Sequence, residues 1–135
     1  MSSIRIMIQT EPVAKARPRT AYRNGVIRTY TPEKTQDAQD FIKYRLKRHV
    51  QNAFPPETPV RLTATFYRTK SKWLPKRETL PFRKPDLDNF LKLLLDSIDK
   101  ELVPDDAQIT TISVRKRWSD NGHGYITLKL ERDTA

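Results

Sequence analysis

Four carboxylates stand at the two ends of one predicted helix. Asp86 and Asp88 lie in the run Asp86-Leu87-Asp88-Asn89, and the pair Asp105-Asp106 follows the helix. Carboxylates are hard oxygen donors, and magnesium needs only two or three of them, with water and a substrate phosphate completing its octahedral shell. An ion held there would neutralise the carboxylates, polarise a phosphoryl oxygen and lower the pKa of a bound water, which is the chemistry of phosphodiester hydrolysis. Lys92 follows Asp88 by four residues, about one helical turn, so the two share a face. An ammonium in that place would stabilise charge on a pentacoordinate phosphorus or orient the attacking water. A plainer reading fits the same residues. Asp86 would cap the helix, Asp88 would favour its dipole, Asp88 and Lys92 would form a surface pair, and Asp105-Asp106 would be a solvated turn.

The charge distribution bears on that choice. Lys and Arg number 26 against 16 Asp and Glu, for a net charge of +10. A surplus of this size attracts polyanions, of which nucleic acid is the commonest. The surplus is not evenly spread. Lys15 to Arg28 holds five basic residues and no acid, and Arg68 to Lys84 holds seven with Glu78 alone against them. From Asp86 to Asp106 the sign reverses, with seven of the 16 acids. A phosphate binder gains nothing from massed carboxylates beside its basic contacts unless a cation stands between them. The reversal at Lys84–Asp86 therefore favours a bridging metal.

These groups need elements to hold them. Ile4, Ile6 and Ile8 alternate with polar neighbours and predict a first strand. Glu11 to Tyr30 reads as a Pro- and Arg-containing loop with a small hairpin turning at Tyr22-Arg23-Asn24-Gly25. Thr31-Pro32-Glu33 is a helix start, and Ala38, Phe41, Ile42, Leu46, Val50 and Ala53 mark one face of a helix running to about Phe54, where Pro55-Pro56 stops it. Val60, Leu62, Ala64 and Phe66 predict a second strand. Thr69 to Lys84 shows no period and reads as a mobile basic loop. Leu87, Phe90, Leu91, Leu94, Leu95 and Ile98 predict a second helix opening at Asp86. Ile112, Val114 and Trp118 predict a third strand. Asp120-Asn121-Gly122 would turn it into a fourth, Ile126 to Leu130, antiparallel to it. The expected fold is α+β: a single two-layer domain over residues 1–135, with a mixed sheet and two main helices on one face. Strand order does not follow from the sequence.

Several function classes fall away. There is no cysteine for disulfides or thiolate zinc, and His49 and His123 are too far apart to suggest a His-rich metal site. No apolar run approaches the roughly 20 residues of a membrane span, and Met1-Ser2-Ser3-Ile4-Arg5 lacks the apolar core of a signal peptide. The expectation is a soluble, cytoplasmic protein with no small-molecule cofactor.

Lys84-Pro85-Asp86-Leu87-Asp88-Asn89-Phe90-Leu91-Lys92, then Asp96, then Asp105-Asp106-Ala107-Gln108-Ile109, resembles the signature of the RusA family of Holliday-junction resolvases, which are phage- and prophage-associated endonucleases. Pro12-Val13-Ala14-Lys15-Ala16-Arg17-Pro18-Arg19 and Tyr30-Thr31-Pro32 match its bacterial and phage branch, so the likeness spans Glu11 to about Lys116. The resemblance implies a homodimer that binds four-way DNA junctions and makes paired, symmetric nicks with Mg²⁺, or Mn²⁺ in its place. It implies Asp86, Asp88 and Asp106 as catalytic metal ligands, Lys92 as the catalytic lysine and Asp105 as an accessory ligand. Ala16 and Pro104 depart from the pattern, the first standing where glycine is expected and the second where an aromatic or polar residue is expected.

On this reading Lys15, Arg17, Arg19, Arg23, Arg28, Lys70, Lys72, Lys76, Arg77, Arg83 and Lys84 would follow phosphates along the arms. Trp73 and Phe82 would either pack on the sheet or at a dimer contact, the commoner outcome, or wedge into the junction. Arg115-Lys116-Arg117 would add phosphate contacts or decorate an open face. The competing readings are a non-catalytic basic nucleic-acid-binding module, and a magnesium nuclease that prefers flaps or forks.

Overall fold

The computed structural model describes residues 3–49 and 53–135. The elements are β1 (Ser3–Ile8), β2 (Arg19–Arg23), β3 (Val26–Tyr30), α1 (Glu33–Leu46), β4 (Val60–Arg68), α2 (Leu87–Ile98), β5 (Ile109–Trp118) and β6 (Tyr125–Arg132). Four strands form a mixed sheet in the order β1-β6-β4-β5, and β2 and β3 form a separate hairpin. The expected α+β domain with a mixed sheet and two helices is present.

Alternation builds the sheet's covered face. Ile4, Ile6 and Ile8 stand opposite Leu130, Leu128 and Ile126, which in turn stand opposite Leu62, Ala64 and Phe66. All nine are buried. Helix α2 lays Phe90, Leu93, Leu94, Ser97 and Ile98 into this layer, the i, i+3, i+4, i+7, i+8 stripe of an amphipathic helix. Phe90 stacks on Phe66 with ring centroids 5.4 Å apart, fixing the first turn of α2 to the end of β4. Helix α1 adds Thr35, Ile42 and Leu46.

Three expectations change. Helix α1 ends at Leu46 rather than near Phe54. Beyond Leu46 come three successive basic or imidazole side chains, Lys47, Arg48 and His49, all exposed, and Phe54 reaches the core from outside the helix. Val50, assigned to the same apolar face, lies outside the described residues, and Phe41 on that face is exposed. The cap also moves by one residue: Pro32 occupies the N-cap position, and no side-chain bond caps the helix. The third change is topological. Strands β5 and β6 run in opposite directions but are not neighbours; β4 lies between them, pairing parallel to β5 and antiparallel to β6. A hairpin pattern specifies direction and not partner, and β4 lies between β5 and β6 with Leu62, Ala64 and Phe66 matched to Leu130, Leu128 and Ile126 on the covered face.

The parallel β4–β5 pair obliges the chain to cross back over the sheet, and α2 is that crossover. It therefore runs opposite to both strands. Its start stands above the ends of β4 and β5, and its end stands above their beginnings.

Two tight contacts hold the rim of the sheet. Both Glu11 carboxylate oxygens accept hydrogen bonds from Thr69, at 3.0 Å from its backbone N and 2.9 Å from its Oγ1. Gly124 lies so close to that segment that a Cβ would come within 2.6 Å of the Glu11 Cα. At the opposite rim Asp133 accepts bonds from Thr111 Oγ1 (2.6 Å), Thr110 Oγ1 (2.7 Å) and Arg61 (2.9 Å). These bonds, led by Thr111 and Thr110, hold the Asp133 carboxyl down to about 2. Gly124→Ala is expected to cost about 1–3 kcal/mol in urea unfolding, the usual cost of forcing atoms into filled space. A depressed carboxyl contributes stability that is full above its ordinary pKa and is lost as pH falls through the folded value. The Asp133 contribution should therefore fade between about pH 4 and about pH 2. Asp133→Asn should lower the melting temperature at neutral pH and flatten its fall across that acid window.

Candidate metal and nucleic-acid site

The first turn of α2 presents Asp86 and Asp88 to solvent. Asp86 is the N-cap by backbone geometry, yet its side chain makes no capping bond. Among the described residues, neither carboxylate takes part in an ion pair, and Lys92 does not close on Asp88. The helix cap and the surface pair that would explain these residues without function are thus not formed. Both acids line an open concavity of about 520 Å³ together with Lys15, Ala16, Arg17, Pro18, Asn89 and Lys92. The wall from Lys15 to Pro18 is held by backbone and side-chain bonds. Lys15 N donates to the Asn89 carbonyl at 2.9 Å, and Ala16 N donates to Thr35 Oγ1 at 3.3 Å. The Lys15 ammonium runs along α2 to Asp96 Oδ2 at 3.0 Å and to Gln39 Oε1 at 2.9 Å.

Asp105 and Asp106 stand elsewhere. Asp106 N donates to Asp99 Oδ1 at 3.1 Å, and Asp105 Oδ1 accepts from Ala107 N at 2.9 Å in a short 3-10 turn, Asp106–Gln108. Carboxylate oxygens of Asp99, Asp105 and Asp106 lie within 4.8 Å of one another. Burial, then Asp99 and Asp105, then Asp96, push the Asp106 carboxyl upward. Asp99 is the C-cap of α2, so at 1.5 Å per residue it lies about 16 Å along the axis from Asp88. Within one chain the structure groups Asp86 with Asp88 and Asp106 with Asp99 and Asp105, and it does not bring the two groups together.

Asp88, Lys92 and Asp96 are exposed at i, i+4 and i+8, and Asp99 continues the stripe. It forms a charged ridge down the solvent side of α2 that joins the two groups. Asp99 was missed by sequence reasoning, as was Asp96 as a member of the site. Their spacing from Asp88, at i+8 and i+11, was visible, but a solvated helix face has the same pattern.

Lys116, expected with Arg115 and Arg117 to add phosphate contacts or decorate an open face, is placed differently by the structure. It lies on the covered side of β5, in line with Phe66, rather than on an open face. Its Nζ donates to the Pro85 carbonyl at 3.0 Å and to the Arg83 carbonyl at 3.1 Å, while Arg68 reaches the Lys84 carbonyl at 3.3 Å. Three successive carbonyls before Asp86 are thus held by cations at the ends of β4 and β5. Burial, and then Arg68, lower the Lys116 pKa, with Asp86 opposing them.

The basic loop from Thr69 to Lys84 presents most of its charge. Arg83 is the exception, engaged by the Glu78 carboxylate, and that contact in turn lowers the Glu78 pKa. Trp118 Nε1 donates to the Glu78 carbonyl at 3.0 Å, pinning the loop to β5. Trp73 is 84% exposed and Phe82 71%. Neither packs on the sheet, which leaves the dimer contact and the junction wedge of the expected outcomes, and each carries a cation over its ring, Lys72 on Trp73 and Arg83 on Phe82. His49 and His123 are exposed surface residues.

The donor set fits a hard divalent cation. All candidate ligands are carboxylate oxygens, two of them uncommitted and three already gathered. A model of the family described as endodeoxyribonuclease RusA matches residues 9–129. A Bacillus subtilis (strain 168) protein described as uncharacterized protein YqaN is 29% identical over 134 residues, covering 89% of this chain and 91% of its own length. Lys116→Met leaves two carbonyls without their charged donor and should lower stability by about 1–3 kcal/mol in urea unfolding. Lys116→Arg should recover part of it.

Proposed function

Because the chain belongs to the RusA family of endodeoxyribonucleases, we propose that it is a magnesium-dependent enzyme that resolves four-way DNA junctions by paired, symmetric nicks. The observation that carries the reading is the uncommitted pair Asp86 and Asp88, set in a basic concavity at the start of α2. Free carboxylates beside massed cations are costly to keep near phosphate unless a metal joins them. Asp86 and Asp88 would hold the ion, with Asp106 and, as an accessory, Asp105. When bound, Mg²⁺, or Mn²⁺ in its place, supplies charge neutralisation and an activated water. Lys92, on the face of Asp88, would stabilise charge developing on the phosphoryl oxygens. Arg17, Arg19, Arg23, Lys70, Lys72, Lys76, Arg77 and Lys84 would position the arms through their phosphates without reading bases, and Lys15 would join them by leaving Asp96 and Gln39. Arg83 would join them by leaving Glu78. Residue composition and the family likeness also support a cytoplasmic enzyme of prophage or phage recombination and repair. Among the described residues, no helix is long and apolar enough to cross a membrane.

The separation along α2 gives a physical argument for a homodimer. Asp88 and Asp106 of one chain are too far apart to share an ion. A two-fold axis that lays two copies of α2 antiparallel would bring Asp106 of the partner subunit to Asp86 and Asp88, completing two equivalent sites. Such a pair of sites matches the two-fold symmetry of an open junction and the paired nicks.

Cleavage of a synthetic four-way junction should require Mg²⁺, and Asp88→Asn should abolish cutting while preserving or strengthening binding. Cutting at the normal rate by that variant would exclude Asp88 as a ligand. Mixing inactive Asp88→Asn and Asp106→Asn subunits should restore single nicking, because one composite site is then wholly wild type. No restoration would place the site within one chain. Equal cleavage of forks, flaps and junctions would favour the broader nuclease reading.

A further inference from the structure

Among the described residues, the β2–β3 hairpin is the regular structure exposed on both faces, with every residue of both strands open to solvent. A lone two-stranded ribbon is marginal in water, so its apolar side chains call for cover that this chain does not supply. The turn is a tight two-residue one, Asn24 at φ 54° and Gly25 at φ 77°, the left-handed pair that matches the twist of a hairpin.

Cross-strand register sorts the side chains onto two faces. Arg19, Arg23 and Arg28 fall on one, at intervals of about 6.6 Å along the ribbon. Tyr22 and Ile27, directly opposite each other, fall on the other, one pair back from the turn. Tyr22 is 75% exposed and Ile27 68%. The ribbon is rooted at the candidate site, because Lys15 to Pro18, which lead into β2, line the concavity that holds Asp86, Asp88 and Lys92. Five residues per strand carry the tip about 17 Å beyond that rim.

Charge selects the occupant. Three arginines on one face of an arm, on a chain of net charge +10, favour a polyanion and disfavour a second copy of the same chain. A linear duplex would satisfy the arginines but keeps its base faces stacked away from Tyr22. A branch point offers both phosphates and unstacked bases on which an aromatic ring can lie.

We propose that the β2–β3 hairpin reads the branch point of the DNA, with Arg19, Arg23 and Arg28 on phosphates and Tyr22, backed by Ile27, stacked on a base at the strand exchange. This rests on the junction reading above and adds the element that sets preference for branched over linear DNA. The test compares the full-length wild type, Tyr22→Ala/Ile27→Ala and Tyr22→Trp. Each is titrated without divalent metal against a four-way junction carrying 2-aminopurine at the branch and against a linear duplex of matching sequence. The double variant should lose roughly tenfold in junction affinity and the fluorescence change, keep duplex affinity within about twofold, and leave sedimentation unchanged; Tyr22→Trp should behave as wild type. Unchanged junction affinity, equal weakening on both substrates, or a shift in sedimentation toward a smaller species would each overturn the proposal, the last by making the hairpin a protein contact. A wild type that binds junction and duplex alike would overturn the junction reading itself, and that outcome is read from the wild-type titrations alone.

Discussion

The arrangement of this protein follows from one constraint, the parallel pairing of β4 with β5. Parallel neighbours cannot be joined by a tight turn, so the chain must return across the sheet, and α2 does so with its apolar stripe against the covered face. The crossover puts Asp86 and Asp88 at one end of the sheet and Asp99, Asp105 and Asp106 at the other. It also carries the end of β5 to the start of α2, where Lys116 and Arg68 hold the three carbonyls that lead into Asp86.

The same topology gathers the positive charge. Strands β1 and β4 both pair antiparallel with β6, so they run in the same direction as each other and as β5. All three end at the edge where α2 begins. The arm after β1, the loop after β4 and the Arg115-Lys116-Arg117 segment near the end of β5 therefore converge around Asp86 and Asp88. A charge reversal that is sequential between Lys84 and Asp86 becomes concentric in space. The carboxylates sit within a basic rim, so the rim attracts a polyanion whose phosphates the carboxylates repel unless a cation arrives with it.

Rigid and adaptable parts are divided accordingly. The core and α2 are locked by stacked and alternating apolar layers, with Phe66 on Phe90 at the working end. The rim carries exposed aromatics with cations over their rings, Lys72 on Trp73 and Arg83 on Phe82, and a ribbon with no apolar cover. Side chains that a monomer leaves open in this way are suited to a large charged partner.

The elements were legible in the sequence because their periods are strong. Alternating isoleucines and leucines can bury one face only as strands, and the Phe90–Ile98 spacing can do so only as a helix. The acidic motif and the charge reversal were legible too, since residue type alone carries hard-ligand chemistry and long-range field. Family membership followed from the order of these motifs. What the sequence could not determine was adjacency. The alternation of β5 and β6 fits a hairpin as well as it fits two strands separated by β4, and only the match of apolar layers across the sheet chose the second. With that choice came the separation of Asp106 from Asp88 and the entry of Lys116 and Asp99 into the site's surroundings, and the separate β2–β3 sheet left Tyr22 and the arginines exposed on its two faces. Local pattern sets what each segment is, whereas the distance between two charges depends on which strands meet.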